Sequence, residues 1–481
     1  MSFPSLDLWQ YRISSDLQEG IELLPGLRLQ TGPGLPVTKV TDAAGLHAGY
    51  ILGFSIDLNA RQTIGASWQA PVKLGIDATE FTERVLDSIG GRFVWIYQSE
   101  TECHLHPDCS AQVPVVFDAA AKVAGSTAHA LFDEDDYADR FDRASFEALR
   151  VDGEGWFPAG LTAHRGLHRL LAHHYLDLST WQSKRFWPRS EISETQDTDD
   201  AVDEFISIVQ AQIEALVNGP KRLAIAVTAG LDTRSVLACS REFVKEADCL
   251  TVVGSDRHAT DSLLAKRITG KFGLNHITLP RTEATPEERE LFIRRGGHCN
   301  GDTNSRFHPS VWPIAETHVM VGGLGAEQAR AFFWRNDDTP DTKLTADILI
   351  KRMGLPPLEN CRKAVARLLD EMPVTSALQK LDLFYAEDRH SSWYAAQFCC
   401  DPTLVRQAPM LTTRTGRLMA QLPPDWKRTS RLGHEVIRRT WPELGALPYN
   451  SLGYWNDLAI KVQRAIANPQ LITKKLRKMG A

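Results

Sequence analysis

The chain has 481 residues, of which 43% are hydrophobic and 24% charged, and its formal net charge at pH 7 is −6. This length exceeds the usual size of one domain and can bury sizeable cores. The acidic balance argues against nucleic acid as a partner. We find no apolar run long enough for a membrane span and no signal pattern at the start. The eight scattered cysteines indicate a reducing, cytoplasmic compartment. Composition says nothing of the oligomeric state.

The first part of the chain alternates short apolar runs with turns. Strands are predicted at 91–97, 104–108 and 113–117. A polar, acidic segment at 189–200 lacks apolar periodicity and predicts a domain boundary. Beyond it, apolar residues from Val202 to Leu216 follow helical spacing until Asn218-Gly219-Pro220 ends the helix.

The next segment carries the strongest functional signal. A buried strand starting at Leu223 opens through Thr228, Ala229 and Gly230 into a helix. Such a turn lines up free backbone N–H groups at a helix N-terminus, which is an arrangement that holds phosphate. Asp232 would repel a bare phosphate, so we expect it to hold Mg2+ beside a polyphosphate. The alternative is an ordinary turn whose acid favours the helix dipole.

Two further strands follow, at Cys249–Gly254 and at 275–280, on either side of a helix that begins near Asp261. Alternating strands and helices predict a parallel sheet, which binds ligands beyond the carboxyl ends of its strands. We interpret Asp261 as an acid that favours the start of its helix. A fourth strand at 318–321 runs into glycines and an acid, Glu327.

The turn Thr228–Arg234 resembles the Ser-Gly-Gly-Leu-Asp-Ser pyrophosphate loop of ATP pyrophosphatases such as the asparagine synthetases. The segment His318–Gln328 resembles the Ser-Gly-Glu-Gly-Ala-Asp-Glu segment of the same family, with Glu327 in place of its aspartate. There are departures. Leu324 replaces the first glutamate and cannot accept a proton, and the family's terminal lysine has no match, since Lys461 lies outside any recognisable motif.

The resemblance implies two domains. Residues 1–189 would form an Ntn-hydrolase-like, β-rich glutaminase domain, and residues 190–481 a parallel-sheet ATP pyrophosphatase (HUP-like) domain with a helical C-terminal part. Glutaminases of this kind need an N-terminal cysteine nucleophile. This chain begins Met1-Ser2 and its first cysteine is Cys103, so we expect a domain without glutaminase activity.

The function implied is that of an ATP- and Mg2+-dependent carbon–nitrogen ligase. It would adenylate a small-molecule or peptide carboxylate and transfer it to ammonia or an amine, including an amine of the same molecule. Asp232, Arg234 and Glu327 are the predicted catalytic residues, with Asp232 and Glu327 as metal ligands and Arg234 on phosphate. The predicted nucleotide-binding residues are Thr228, Ala229, Gly230, Leu231, Asp232, Thr233, Arg234, Val253, Gly254, Gly322 and Gly323.

Two alternatives stay open. One is a nucleotide-binding pseudoenzyme or partner protein, which Leu324, Ala229 and the missing lysine favour. The other is a different adenylating chemistry, such as thiolation or tRNA modification. That chemistry usually brings cysteine pairs or a basic RNA surface.

Overall fold

The computed structural model describes residues 5–153, 155–254, 259–299 and 303–450. Ser2, Lys461 and the basic run at 474–478 lie outside these ranges. None of the helices within them combines the length and apolarity needed to cross a membrane.

The first part of the chain forms two sheets whose strand pairs are antiparallel apart from β4 with β7. The strands are β1 (Tyr11–Ser14), β2 (Ile21–Leu24), β3 (Leu27–Thr31), β4 (Val37–Thr41), β5 (His47–Asp57), β6 (Gln62–Thr63), β7 (Ser67–Gln69), β8 (Ile89–Gln98), β9 (Cys103–Pro107), β10 (Val116–Asp118), β11 (Val123–Gly125), β12 (His168–Arg169), β13 (His174–Asp177) and β14 (Gln182–Arg185). The helices are α1 (Ala78–Ser88), α2 (Ala128–Leu131), α3 (Glu134–Arg140) and α4 (Arg143–Leu149).

These two sheets pack face to face. One has the order β12-β10-β11-β1-β3-β2, and the other β14-β13-β9-β8-β5-β4-β7 with β6 beside β5. Alternate residues of facing strands form the core between them, including Tyr11, Ile13 and Leu52, as expected for a sandwich. Helix α1 covers the other face of the larger sheet with Phe81 and Val85.

The second part contains a parallel sheet and most of the helices. Its elements are α5 (Thr198–Val217), β15 (Arg222–Ala226), α6 (Leu231–Cys239), β16 (Asp248–Val253), α7 (Ala259–Phe272), β17 (His276–Pro280), α8 (Pro286–Arg295), α9 (Thr303–Phe307), β18 (His318–Val321), α10 (Ala346–Met353), α11 (Glu359–Asp370), α12 (Ala377–Phe384), α13 (Ser391–Cys399), β19 (Arg406–Gln407), α14 (Thr413–Ala420), α15 (Pro424–Arg428), α16 (Arg431–Thr440) and α17 (Pro442–Gly445). A π-helix (Tyr385–His390) joins α12 to α13.

The sheet has the order β17-β16-β15-β18-β19, and every pair in it is parallel. The carboxyl ends of β15 and β18 therefore lie side by side, which brings the segments at 228–233 and 322–327 together. The predicted α/β class is confirmed. One detail was wrong: residues 113–115 precede β10 instead of forming part of it.

The two parts share cores. Residues of 149–171 pack with α10, α11 and α12 in one apolar cluster. The π-helix adds buried charges: Glu387 accepts from Arg185 at 2.5 and 3.0 Å, and Asp388 accepts from Trp156 Nε1 at 3.0 Å. The division of the chain at residue 189 stays a prediction, as do the family assignments of the two parts.

Candidate nucleotide site at the carboxyl edge of the parallel sheet

The first loop connects β15 to α6. The Thr228 and Thr233 hydroxyls lie 2.8 Å apart, and the Thr228 hydroxyl accepts the Gly230 N–H at 3.2 Å. The Ala229 N–H donates to Asp261 Oδ1 at 2.9 Å. Asp261, interpreted above as an acid that favours its own helix, thus contacts the loop as well. These bonds hold the turn rigid.

The hydrogen bonds within the loop also determine which backbone N–H groups remain to bind a ligand. Those of Thr228, Ala229 and Gly230 are used within the protein. Gly230 is the N-cap of α6 and supplies no side-chain cap. The first N–H groups of a helix have no intrahelical partner. Leu231, Asp232 and Thr233 therefore carry the donors that could bind an anion at this end of α6.

The second loop packs directly against the first. A Cβ built on Gly323 would lie 2.4 Å from the Thr233 nitrogen and 2.7 Å from Asp232 Cβ. No side chain is compatible with this approach, so the glycine lets the two loops meet. At Gly322 the nearest atom is 3.8 Å away, so this glycine is not required for the contact.

This contact brings together the two predicted metal ligands. Asp232 Oδ2 accepts from Arg330 Nη2 at 2.7 Å, and Glu327 Oε1 lies 3.7 Å from the same nitrogen. The other Glu327 oxygen accepts the Gly325 N–H at 3.0 Å. Burial raises the pKa of Glu327, and the charge of Asp232 raises it further. Burial also raises the pKa of Asp232, which Arg330 offsets in part.

The charge of Asp232 raises the proton affinity of Glu327, so a cation between the two carboxylates would be favoured. Mg2+ binds oxygen ligands. It is usually held by one or two carboxylates, and phosphate oxygens and water complete its coordination. Asp232 and Glu327 match that donor set. The described residues contain no group of three or more acidic, histidine or cysteine side chains placed for a metal, so a divalent ion here would need the nucleotide as well.

The predicted role of Arg234 is corrected by the structure. Its side chain is 1% exposed and its guanidinium donates to the carbonyls of Leu447 and Pro448 at 2.7 and 2.8 Å. Its central carbon lies 4.0 Å from the centre of the Tyr449 ring. The Asn450 N–H in turn donates to Ala229 O at 3.0 Å. Arg234 holds the segment 444–450 against the first loop and does not face the space before α6.

Val253 and Gly254 stand at the carboxyl end of β16, the neighbour of β15. Gly254 has a φ of +148°, and a Cβ there would lie 2.8 Å from Arg281 Cβ. It therefore packs against the chain that follows β17. The structure places both residues on the predicted edge, and their contact with a nucleotide stays a prediction.

Sequence reasoning missed Arg330, although its spacing of three residues from Glu327 could have indicated an ion pair. It also missed the aromatic pair beside the acids. Phe332, 53% exposed, stacks on Tyr385 with ring centres 4.3 Å apart. Burial and then the charge of Glu327 raise the pKa of Tyr385. No sequence signal indicated that Tyr385 contacts Phe332, because the contact joins distant segments.

No family model matches the chain, and no curated protein matches it either. Among solved structures, NMN synthetase from Francisella tularensis is similar over 42% of this chain and 94% of its own, with 12% identity and a TM-score of 0.22.

A second solved structure is glutamine phosphoribosylpyrophosphate (PRPP) amidotransferase from B. subtilis, complexed with ADP and GMP. The similarity covers 78% of this chain and 90% of that chain, with 12% identity and a TM-score of 0.19. At such TM-scores neither likeness bears on function.

Proposed function

We propose that this protein is an ATP- and Mg2+-dependent ligase that adenylates a carboxylate and transfers it to an amine or ammonia, releasing AMP and pyrophosphate. The observation that carries the proposal is the meeting of Asp232 and Glu327 beside the uncapped N-terminus of α6. The resemblance of both loops to those of asparagine synthetases supplies the reaction class.

Each group then has a task. The N–H groups of Leu231, Asp232 and Thr233 orient the polyphosphate, because they point along the axis of α6. Asp232 and Glu327 would hold Mg2+, which would neutralise phosphate charge when bound. Arg330, 2.7 Å from Asp232, keeps a positive charge beside the departing pyrophosphate. Orientation and charge stabilisation supply most of the rate.

The nitrogen source in this proposal is an amine or free ammonia. The cysteines of the β-rich part support it, because Cys103 and Cys109 are both buried. Burial raises the pKa of Cys103 to about 12. The thiolate, which is the nucleophilic form of a cysteine, is therefore scarce at Cys103 at neutral pH.

The test is pyrophosphate release from Mg2+-ATP in the presence of pooled carboxylates and amines. Asp232→Asn is expected to slow release by roughly 10²-fold or more, as losses of preorganised charge partners do, while circular dichroism stays unchanged. The matched control is Asp347→Asn, because Asp347 forms an exposed ion pair with Arg362. Equal rates of Asp232→Asn and the wild type would contradict the proposal.

A second candidate is a nucleotide-binding protein without turnover. The specific observation in its favour is Arg330, whose guanidinium already pairs with the acid proposed to hold the metal. Calorimetry with ATP separates the two. Binding that does not depend on Mg2+, with no pyrophosphate release from any carboxylate pool, would establish this candidate.

A further inference from the structure

The buried side chain of Gln328 joins the second loop of the candidate nucleotide site to the β-rich part. Gln328 follows Glu327 directly in a single 3₁₀ turn, Ala326–Ala329. Its amide nitrogen donates to Ser110 Oγ at 3.1 Å and to His390 Nδ1 at 2.8 Å. A glutamine amide has two hydrogens, so each of them has an acceptor here.

The two acceptors are also buried, and they belong to segments far away in the chain. Ser110 lies 218 positions before Gln328, and His390 lies 62 positions after it. Burial lowers the pKa of His390 well below its ordinary value, so its imidazole is neutral and has one nitrogen that accepts. Gln328, Ser110 and His390 are called the Gln328 network below.

The β-rich part holds Ser110 in a turn after β9. The Ser110 N–H donates to Asp108 Oδ1 at 3.0 Å. Asp108 Oδ2 accepts the N–H groups of Gln112 at 3.1 Å and of Phe93 at 3.3 Å. One buried carboxylate thus fixes the backbone at three positions. The Gln328 network therefore ends on an anchored element of the β-rich part.

The turn that carries Glu327 needs such an anchor. One helical turn has little stability by itself, because its few hydrogen bonds do not repay the ordering of the chain. The place of Glu327 beside Asp232 therefore depends on contacts that hold the turn from outside. Hydrogen bonds suit this task because their direction selects one arrangement of a buried side chain.

We propose that the Gln328 network positions Glu327 beside Asp232 for a divalent cation, and that the β-rich part thereby acts as a scaffold for the candidate nucleotide site. Gln328, Ser110 and His390 are positioning residues, which act through Glu327. The inference rests on the proposed function for the cation, whereas the hold on the turn needs no nucleotide. It gives the β-rich part a task that requires no glutaminase nucleophile.

The first test measures ATP binding to the full-length protein by calorimetry at graded Mg2+ concentrations. Gln328→Leu removes both donors at similar size. It should raise the half-saturating Mg2+ concentration about 10-fold, the lower end of the range for residues that orient metal ligands. Ser110→Ala should raise it less, because the bond from Gln328 to His390 remains. In the Gln328→Leu protein, adding Ser110→Ala should change nothing further, since the two residues share one interaction.

The control is Thr38→Val. Thr38 is a buried residue of the β-rich part, and its hydroxyl donates to Gly65 O at 2.6 Å. The variant loses a buried hydroxyl, as Ser110→Ala does, and should keep the Mg2+ requirement of the wild type. An unchanged requirement in Gln328→Leu, an equal rise in Thr38→Val, or additive effects of Ser110→Ala and Gln328→Leu would overturn the proposal.

Hydrogen exchange without nucleotide separates this inference from the proposed function. The Gly325 N–H donates to Glu327 Oε2 at 3.0 Å, so its exchange reports on the order of the turn. It should exchange faster in Gln328→Leu and Ser110→Ala than in Thr38→Val and the wild type. If the wild type shows no Mg2+-dependent ATP binding, the proposed function fails, and exchange alone decides whether the network holds Glu327. Unchanged Gly325 exchange in both variants would refute the positioning role.

Discussion

The acids at the two ends of the parallel sheet differ in their hydrogen-bond partners and in the direction in which their pKa is shifted. At the amino end, Asp248 accepts hydrogen bonds from Arg222, from Asn275 and, at 3.0 Å, from His318 Nε2. Burial by itself would raise the pKa of Asp248, but these bonds bring it below its ordinary value. At the carboxyl end, Asp232 and Glu327 both pair with Arg330, and burial leaves the pKa of both acids raised.

The difference separates a structural charge from a candidate functional one. Asp248 is fully compensated within the protein, so its negative charge stabilises the native state. Asp232 and Glu327 are compensated in part, which leaves affinity for a further positive charge. Perturbed acids in a site formed by loops are candidates for function, although structural ion pairs also shift pKa values. The predictions below test this contrast.

The largest effect is expected at Asp248. Asp248→Ala removes a buried acceptor of three hydrogen bonds, two of them from the exposed Arg222 and Asn275, and should lower the free energy of unfolding by about 3 kcal/mol at roughly 1 kcal/mol per bond. Asp232→Asn should change it by less than about 1 kcal/mol, because the neutral amide avoids the cost of burying a charge. Urea unfolding measures both. If Asp232→Asn is as damaging as Asp248→Ala, the carboxyl end is structural and the contrast fails.

Next comes Arg234, which holds segment 444–450 to the first loop. Arg234→Met should lower the unfolding free energy by about 1.5–3 kcal/mol, the range for hydrogen bonds to a charged group. Arg234→Lys should recover part of the lost unfolding free energy, since one ammonium cannot reach all the carbonyls. Arg241→Ala is the control, because Arg241 lies in the second part of the chain, as Arg234 does, and has an exposed side chain. Faster hydrogen exchange of the Asn450 amide in Arg234→Met would show the segment released, and unchanged exchange would argue against the anchor.

A smaller effect is expected where the two loops meet. Gly323→Ala places a Cβ against the backbone of Thr233 and should cost about 1–3 kcal/mol of stability, as overpacking does. It should also weaken ATP binding, because it pushes Glu327 away from Asp232. Gly322→Ala, whose Cβ meets nothing closer than 3.8 Å, should leave the free energy of unfolding nearly unchanged. Identical behaviour of the two variants would show that the loops are not held in contact.

The smallest effect is a difference in pH dependence. An acid with a raised native pKa is ionised first in the unfolded state, so its contribution to stability is lost as pH rises from its ordinary value, 3.8 for Asp232, through the native value. For Asp248, with a lowered pKa, the contribution is present above 3.8 and is lost as pH falls.

Unfolding free energies between about pH 2 and about pH 7 test this difference. Asp232→Asn should gain stability relative to the wild type as pH rises above 3.8, whereas Asp248→Asn should lose stability relative to the wild type as pH rises towards 3.8. Parallel curves for the wild type and both variants would contradict the assigned pKa directions.

Local sequence determined much of the second part. The apolar run before Thr228 predicted β15, the stripe from Val202 to Leu216 predicted α5, and the alternation of strands and helices predicted a parallel sheet. These features follow from side-chain periodicity and from turn residues, which act over a few positions. The placing of Asp232 and Glu327 at one edge followed from the same pattern, since parallel strands share their carboxyl edge.

Tertiary structure alone decided where the side chains point. Arg234 was predicted on phosphate because its position in the loop allows it, but carbonyls more than 200 positions later in the chain take its guanidinium. Arg330 reaches Asp232 across 98 positions, and the Gln407 side-chain nitrogen donates to Phe54 O across 353 positions. Such contacts depend on the packing of segments far apart in the chain. Residue type limits which partners a side chain accepts, and only the folded chain determines which of them come within reach.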